Sequence, residues 1–438
     1  MYSIDWALLL SRTPGRSASA TAIPQGQESA ATPTRHPIGA ISGVVWSLGI
    51  TSLLTDISSE MVASVLPLYL VLHLGMSPLA FGVVDGLQQG AASLVRVLSG
   101  MLADRWRRYK DIAVAGYAIS AVCRALLLFA GGAWSAITAI VAADRIGKGI
   151  RTAPRDALIS NNTPRALLGT AFGIHRALDA TGAMLGPVAA FLILALVPRG
   201  FDLLFMVSFA VAIVGVGAIA VFVPRGDFRD SSDGTRDPAL SSMSEAVVGP
   251  EVRGLIVSGS VLALATVSDA FIYLLVQRRL AAPILAFPLF FVGTSLFTAL
   301  FSLPCGRLAD CVGRRLVLLT GYALLAGVYV ALIVPTVVPS PIVALTVVAL
   351  LGAHYAATDG VLTAMAAARL TASRTATGLS ILATSTNLSR FVGSIVFGWA
   401  WTIGGSTVSV AAYLALLAIA TLVASRALPQ EPDNAPGD

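Results

Sequence analysis

Charged side chains are scarce in this sequence: Asp, Glu, Lys and Arg together make up 12% of its 438 residues, about half the share usual in a soluble domain. Cysteine is scarcer still. Cys123, Cys305 and Cys311 are the three present, which excludes a disulfide framework, and no Cys/His spacing suits a metal centre. There is no GxxxxGK[ST] phosphate loop, and neither a Ser/His/Asp order nor a metal-binding helix sits on a polar domain. Neither an enzyme nor a nucleotide-driven pump is expected, and no cofactor. Abundant instead are apolar residues, 56% of the chain, with a mean hydropathy of +0.81. That is more apolar surface than one core hides, and it predicts a multi-span membrane protein.

Apolar runs predict twelve membrane helices, each near the roughly twenty residues that cross a 30 Å hydrocarbon layer. Their expected cores are 42–72, 80–103, 112–131, 134–157, 167–197, 201–223, 252–276, 283–305, 316–336, 341–368, 377–402 and 407–425. Residues 1–37, rich in Ser, Ala, Thr, Pro and Gly, read as a disordered cytoplasmic tail. Residues 224–250 form the longest interior polar stretch and read as a cytoplasmic linker between bundles at 38–223 and 251–426, with a second tail at 427–438. The net charge of +6 is spread over short loops, so it speaks for orientation and not for nucleic acid. Loops 104–111, 151–166, 224–253, 306–315 and 369–374 hold most of the bases, and turns near 73–79, 131–135, 336–341 and 403–406 hold no Arg or Lys. The positive-inside rule then predicts an inner (plasma) membrane protein with both termini cytoplasmic, Arg199, Arg278 and Arg279 being exceptions.

The chain also contains an internal repeat. GMLADRWRRYK at Gly100–Lys110 returns as GRLADCVGRR at Gly306–Arg315, each between two long apolar runs. Leu79-Ala80-Phe81 and Leu285-Ala286-Phe287, Gly116-Tyr117 and Gly321-Tyr322, and Thr170-Ala171-x-Gly173 and Thr375-Ala376-x-Gly378 hold a nearly constant offset of about 205 residues. GxLAD followed by bases, between the second and third spans and again between the eighth and ninth, resembles the signature loop of the major facilitator superfamily. The resemblance covers nearly the whole membrane portion. It implies an all-α fold of two six-helix pseudo-symmetric bundles, a monomer, and loop residues Gly100, Asp104, Arg105, Arg108, Gly306, Asp310, Gly313 and Arg314 that latch one side of the transporter. Arg107 stands where the family usually has Gly, Tyr109 replaces a base, and Cys311 replaces one in the second copy.

A charge at the bilayer centre costs about 2.5–3.5 kcal/mol on insertion scales, so each one retained there calls for a partner, a wet cavity or a role. In span 1, Asp56 and Glu60 share a helical face; one reading makes them titrating groups, the other structural ion pairs. Span 2 aligns Asp85, Gln89 and Arg96, which read as partly structural. In span 4, Asp144, Lys148, Arg151 and Arg155 form one stripe, with Asp156 after it. Salt bridges to spans 1 and 2 are the bland account of the stripe, strongest for Arg155 and Asp156. Arg145-x-x-Lys148-Gly149 resembles the superfamily's fourth-span motif, which implies a proton-coupling role for Arg145, although Lys148 replaces the usual Gln. In span 5, His175 and Asp179 are spaced for a proton relay, and Arg176 reaches Asp179 or faces a cavity as an anion site. Gly173, Gly182 and Gly186-Pro187 offer a small-residue packing surface, and GxxxGP resembles the fifth-span motif of exporters in the superfamily.

The second half is quieter. Asp269 and Tyr273 share a face of span 7, Tyr355 and Asp359 lie in span 10, and Asn387 in span 11; with Lys148, Arg151 and Arg176 they are candidate substrate contacts near the midplane. The expected activity is proton-coupled efflux of a small organic compound by alternating access, with protons and a small molecule as partners and the bilayer as solvent. In it Arg145, His175, Asp179, Asp56 and Glu60 couple the proton. Transport of an anionic metabolite, favoured by Lys148, Arg151 and Arg176, and of a divalent cation, favoured by Asp56, Glu60 and Asp85, are the alternatives; no bound metal site is expected.

Overall fold

The computed structural model describes residues 42–131, 133–164, 167–224, 250–280, 284–334, 340–370 and 375–429. Apart from one short 3-10 turn and a π turn, its regular elements are α-helices: α1 (Gly43–Pro67), continued by a π turn over Leu68–His73, α2 (Pro78–Trp106), α3 (Tyr109–Phe129), α4 (Trp134–Asn161), α5 (Leu168–Leu196), α6 (Phe201–Phe222), α7 (Pro250–Leu264), α8 (Asp269–Leu280), α9 (Phe287–Val312), α10 (Arg314–Ile333), α11 (Ser340–Ala367) and α12 (Thr375–Ala427). Nine helical stretches among the described residues are long and apolar enough to cross a membrane. Long apolar side chains such as Leu98, Phe129, Leu196, Val221 and Ile403 stand exposed on them, as surfaces that face lipid do. The long helices α2 and α4 are too polar to meet that measure, and α4 carries Asp144, Arg145, Lys148, Arg151, Arg155 and Asp156. The expected tail at 1–37 and nearly all of the 224–250 linker and of the 427–438 tail lie outside the described residues.

One expectation needs correction. Span 7 is not continuous: α7 ends at Leu264 and α8 begins at Asp269. The Tyr329 hydroxyl of α10 splices the gap, accepting from the Val267 amide at 2.7 Å and donating to the Ala265 carbonyl at 3.0 Å. Backbone groups freed inside a membrane need such partners. The long element α12 is two helices that meet at a kink at Gly405, between the spans expected at 377–402 and 407–425; the φ of 76° there is a conformation that favours glycine.

The sequence repeat reappears as repeated packing. In the first half α1 packs on α5 and α6, α2 on α4, and α3 on α4 and α6; in the second, α7 packs on α12, α9 on α11, and α10 on α11 and α12. Across the halves α2 lies along α12 and α5 along α9. The α2–α12 seam is close because it is made of glycines: a Cβ added at Gly82 would lie 2.7 Å from the Ser394 carbonyl oxygen, and one at Gly398 would lie 2.4 Å from that of Pro78. Phe81, Phe271, Phe397 and Trp401, all buried, stack edge-on beside it. This plug closes the end of the molecule that lies some 30 Å along α2 from the GxLAD loops, at about 1.5 Å per residue.

Candidate functional site

The buried charges of the first half converge because α1 and α5 approach without side chains between them. A Cβ at Gly182 would lie 2.5 Å from the Leu53 carbonyl oxygen and 3.1 Å from the Asp56 Cβ; one at Gly186 would meet Ile57, Met61 and Glu60 within 2.9 Å. Gly182 and Gly186 therefore pack as expected and Pro187 lies within α5, but Gly173 does not share the role, since a Cβ there would meet nothing within 4 Å. The close approach places Asp56 and Asp179 beside one another, each carboxyl acting electrostatically on the other, and both residues are buried.

Hydroxyls and guanidiniums surround this pair. Ser52 Oγ donates to Asp179 Oδ1 at 2.5 Å. Arg155 Nη1 donates to Ser52 Oγ at 3.2 Å and lies 3.9 Å from Asp179 Oδ1, while its other nitrogens hold Asp156. Arg151 Nη2 stands 3.8 Å from Asp56 Oδ1, its Nη1 donates to Ser120 Oγ at 2.9 Å, and its guanidinium lies over the Tyr117 ring at 4.7 Å. The half-buried Lys148 acts electrostatically on both carboxyls. Asp156 in turn meets Arg96 of α2 at 3.2 Å. The bland account of the lower stripe, salt bridges to neighbouring helices, thus describes Arg155 and Asp156.

The spacing of His175 and Asp179 does not become a contact. Asp179 is taken by Ser52 and Arg155, and His175, buried, leaves its Nε2 without a hydrogen-bond partner among the described residues. Arg176 is exposed and Glu60 half-buried. Arg145 belongs to a second cluster one turn deeper, bonded to Asp144 at 3.0 Å. Asp144 also pairs with Arg124 of α3 at 2.7 Å. Arg124 is not among the site residues expected from the sequence, although a lone arginine in an apolar run is itself a signal.

In the second half, Tyr355 Oη donates to Asp269 Oδ1 at 2.5 Å, directly at the break between α7 and α8. Arg390 lies 3.7 Å from Asp359. Asp85 of α2, buried, accepts from Ser394 Oγ of α12 at 2.7 Å, with Ser268 beside it, so this acid stands between the halves. Asn387 Nδ2 donates to Ser93 Oγ at 2.8 Å and forms a strut across the same seam. Tyr273, a candidate substrate contact, is fully buried, and its hydroxyl donates to Thr294 at 2.6 Å inside an aromatic cluster with Phe287, Phe290 and Phe291.

At the loops, Arg108 pairs with Asp111 at 3.0 Å and Asp310 with Arg314 at 3.6 Å, each within its own copy. Arg105 is exposed, Gly100 meets Ala153, and Gly306 meets nothing; the Asp104 side chain lies outside what the structure describes. Gly313 caps α9 with φ 105°, and its counterpart Arg107 caps α2 with φ 54°. The loop thus keeps a left-handed residue even where the side chain is an arginine.

Comparison with known proteins agrees with this architecture. The family model of the Major Facilitator Superfamily matches residues 48–293 and 254–438. An uncharacterised MFS-type transporter of Methanocaldococcus jannaschii is 32% identical over 288 residues, covering 64% of this chain and 70% of that protein. The nucleoside transporter NupG superposes with a TM-score of 0.72 at 14% identity, over 88% of this chain and 98% of its own. A bacterial homologue of the human lysosomal transporter Spinster, inward-facing and unoccupied, superposes with a TM-score of 0.67 at 15% identity, over 89% and 98%. With the repeat, the two-fold packing and the family match in hand, the chain belongs to the Major Facilitator Superfamily.

Proposed function

We propose that this chain is a twelve-span secondary transporter of the inner (plasma) membrane that exports a small organic compound in exchange for protons. Members of the family are multi-pass membrane transporters and not enzymes. The finer reading gives it two six-helix halves, 38–223 and 251–426, joined by a cytoplasmic linker, with both termini cytoplasmic. The observation that carries it is the buried meeting of Asp56 and Asp179 between α1 and α5. Two neighbouring carboxyls can share a proton, and nearby cations compensate them once it leaves. Lys148, Arg151 and Arg155 are those cations. His175 and Glu60 lie one turn from Asp179 and Asp56 on the same helices and serve as the approach for the proton.

The aromatic plug and glycine seam close one end, and among the described residues neither Arg108 nor Asp310 pairs across the halves. With the basic loops cytoplasmic, this arrangement supports an inward-facing state, in which the GxLAD latch is released. Substrate then sits between the Asp56–Asp179 cluster and the Asp269–Tyr355 and Arg390–Asp359 pairs. The break before Asp269 supports this placement, since interrupted helices commonly line transporter sites.

A second reading, transport of an anionic metabolite, draws on the three bases that face two acids here. Among the described residues no three His, Cys, Asp or Glu side chains converge as metal ligands, so no observation favours the divalent-cation reading. The test uses proteoliposomes holding a pH-sensitive dye, challenged in turn with cationic drugs, organic anions, nucleosides and divalent metals. The proposal expects one organic class to release protons across the membrane. A solute that moves with no proton movement overturns it, and an anion that does so establishes the second reading.

A further inference from the structure

The deeper cluster of the first half carries more positive charge than its acid can neutralise. Arg124 of α3 and Arg145 of α4 are both at least nine-tenths buried, and both are bonded to the single carboxylate of Asp144, through Nη1 at 2.7 Å and Nη2 at 3.0 Å. The other donors of Arg124 go to neutral oxygens, Ser59 Oγ at 2.7 Å and the Ser120 carbonyl at 3.4 Å. The Nε of each arginine has no hydrogen-bond partner among the described residues. Asp56 faces Arg151 and Asp179, and among the described residues no ion pair joins Glu60 to either arginine. One unit of positive charge therefore stands, mostly buried, without a carboxylate partner among the described residues, an arrangement that disfavours folding unless something supplies the counter-charge.

Beside these arginines is a cavity of about 20 Å³, lined by Ser59, Gln88, Arg124, Asp144 and Arg145 among apolar residues. It has room for a water-sized occupant. A water would bridge the polar atoms but leave the charge unbalanced; a small anion does both. We propose that this cavity between α1, α2, α3 and α4 binds a small monovalent anion, which neutralises the Arg124–Asp144–Arg145 cluster and fixes the four helices together. The Ser59 hydroxyl and the Gln88 amide complete its donors, and the Asp144 carboxylate is turned to the two guanidiniums. The site is separate from the Asp56–Asp179 pair, and the inference stands whether or not that pair couples protons.

The test follows thermal unfolding of the purified full-length protein at constant ionic strength, with sodium gluconate replaced stepwise by chloride, bromide or formate. A saturable rise of the midpoint by a few degrees is expected with an anion that fits, and none with gluconate. Chloride and bromide alone acting marks a halide site, and formate acting as well marks a site for a carboxylate group. Gln88→Glu places a tethered carboxylate in the cavity and is expected to raise the midpoint in gluconate and abolish the response. Arg145→Gln should weaken the response, and Arg176→Gln, on an exposed residue, should leave it intact. A midpoint indifferent to the anion, or a full halide response kept by Gln88→Glu, overturns the proposal. Bromide scattering from a crystal of the unaltered protein decides independently: a peak in the cavity supports an anion, and water alone at saturating bromide contradicts it.

Discussion

Asp56 of α1 and Asp179 of α5 face one another across a helix pair drawn together at Gly182 and Gly186. Replacing either acid by Asn keeps the hydrogen-bonding shape and removes the titrating group. Asp56→Asn and Asp179→Asn are each expected to reduce proton-driven transport at least about tenfold, or ~1.4 kcal/mol in the coupled step. Binding of the solute, followed by calorimetry on the purified variants, should change far less.

Gly182 and Gly173 lie on one helix yet predict opposite outcomes. Gly182→Ala drives a methyl to 2.5 Å from a backbone oxygen of α1, and such overpacking costs about 1–3 kcal/mol. Gly173→Ala meets open space and should gain up to ~1 kcal/mol from helix propensity. Unfolding midpoints of the two variants check the contrast.

Tyr329→Phe removes the hydroxyl that joins Val267 and Ala265 across the α7–α8 break. Two buried backbone groups lose their partner, at a cost of about 1–3 kcal/mol. A lower unfolding midpoint with faster amide exchange confined to 265–269 is the expected signature.

Gly398→Ala wedges a methyl against the Pro78 carbonyl oxygen in the α2–α12 seam, which parts when this end opens in the alternating-access cycle proposed above. A penalty of about 1–3 kcal/mol falls on that state alone and shifts the population about tenfold toward the state open at this end. Labelling of Ser394→Cys by an impermeant maleimide from the plugged side should rise accordingly.

What the sequence makes legible is what depends on local pattern. The GxLAD loops recur as helix ends followed by a left-handed residue at Arg107 and Gly313, and the repeat recurs as packing, because both follow from apolar runs and turn chemistry. Contacts decided by distant side chains are not legible. His175 and Asp179 have the spacing for a relay, but Ser52 and Arg155, from two other helices, take the carboxylate first. Thr266, Ser268 and Asp269 favour a helix start, but the break itself is completed by a tyrosine of α10, far away in the sequence. Tyr273 carries a polar tip that Thr294 satisfies within the core, so polarity alone misplaces it. Arg124 is legible in principle, since a lone arginine in an apolar run calls for a partner.

The most direct test of proton coupling through the acid pair compares two modes of transport in one Asp179→Asn preparation in proteoliposomes. Net flux of the solute requires the carrier to return with its proton, whereas exchange of labelled for unlabelled solute does not. The account predicts that Asp179→Asn loses proton-driven net flux while exchange continues at close to the unaltered rate. Net flux that persists and still follows the pH gradient would contradict it.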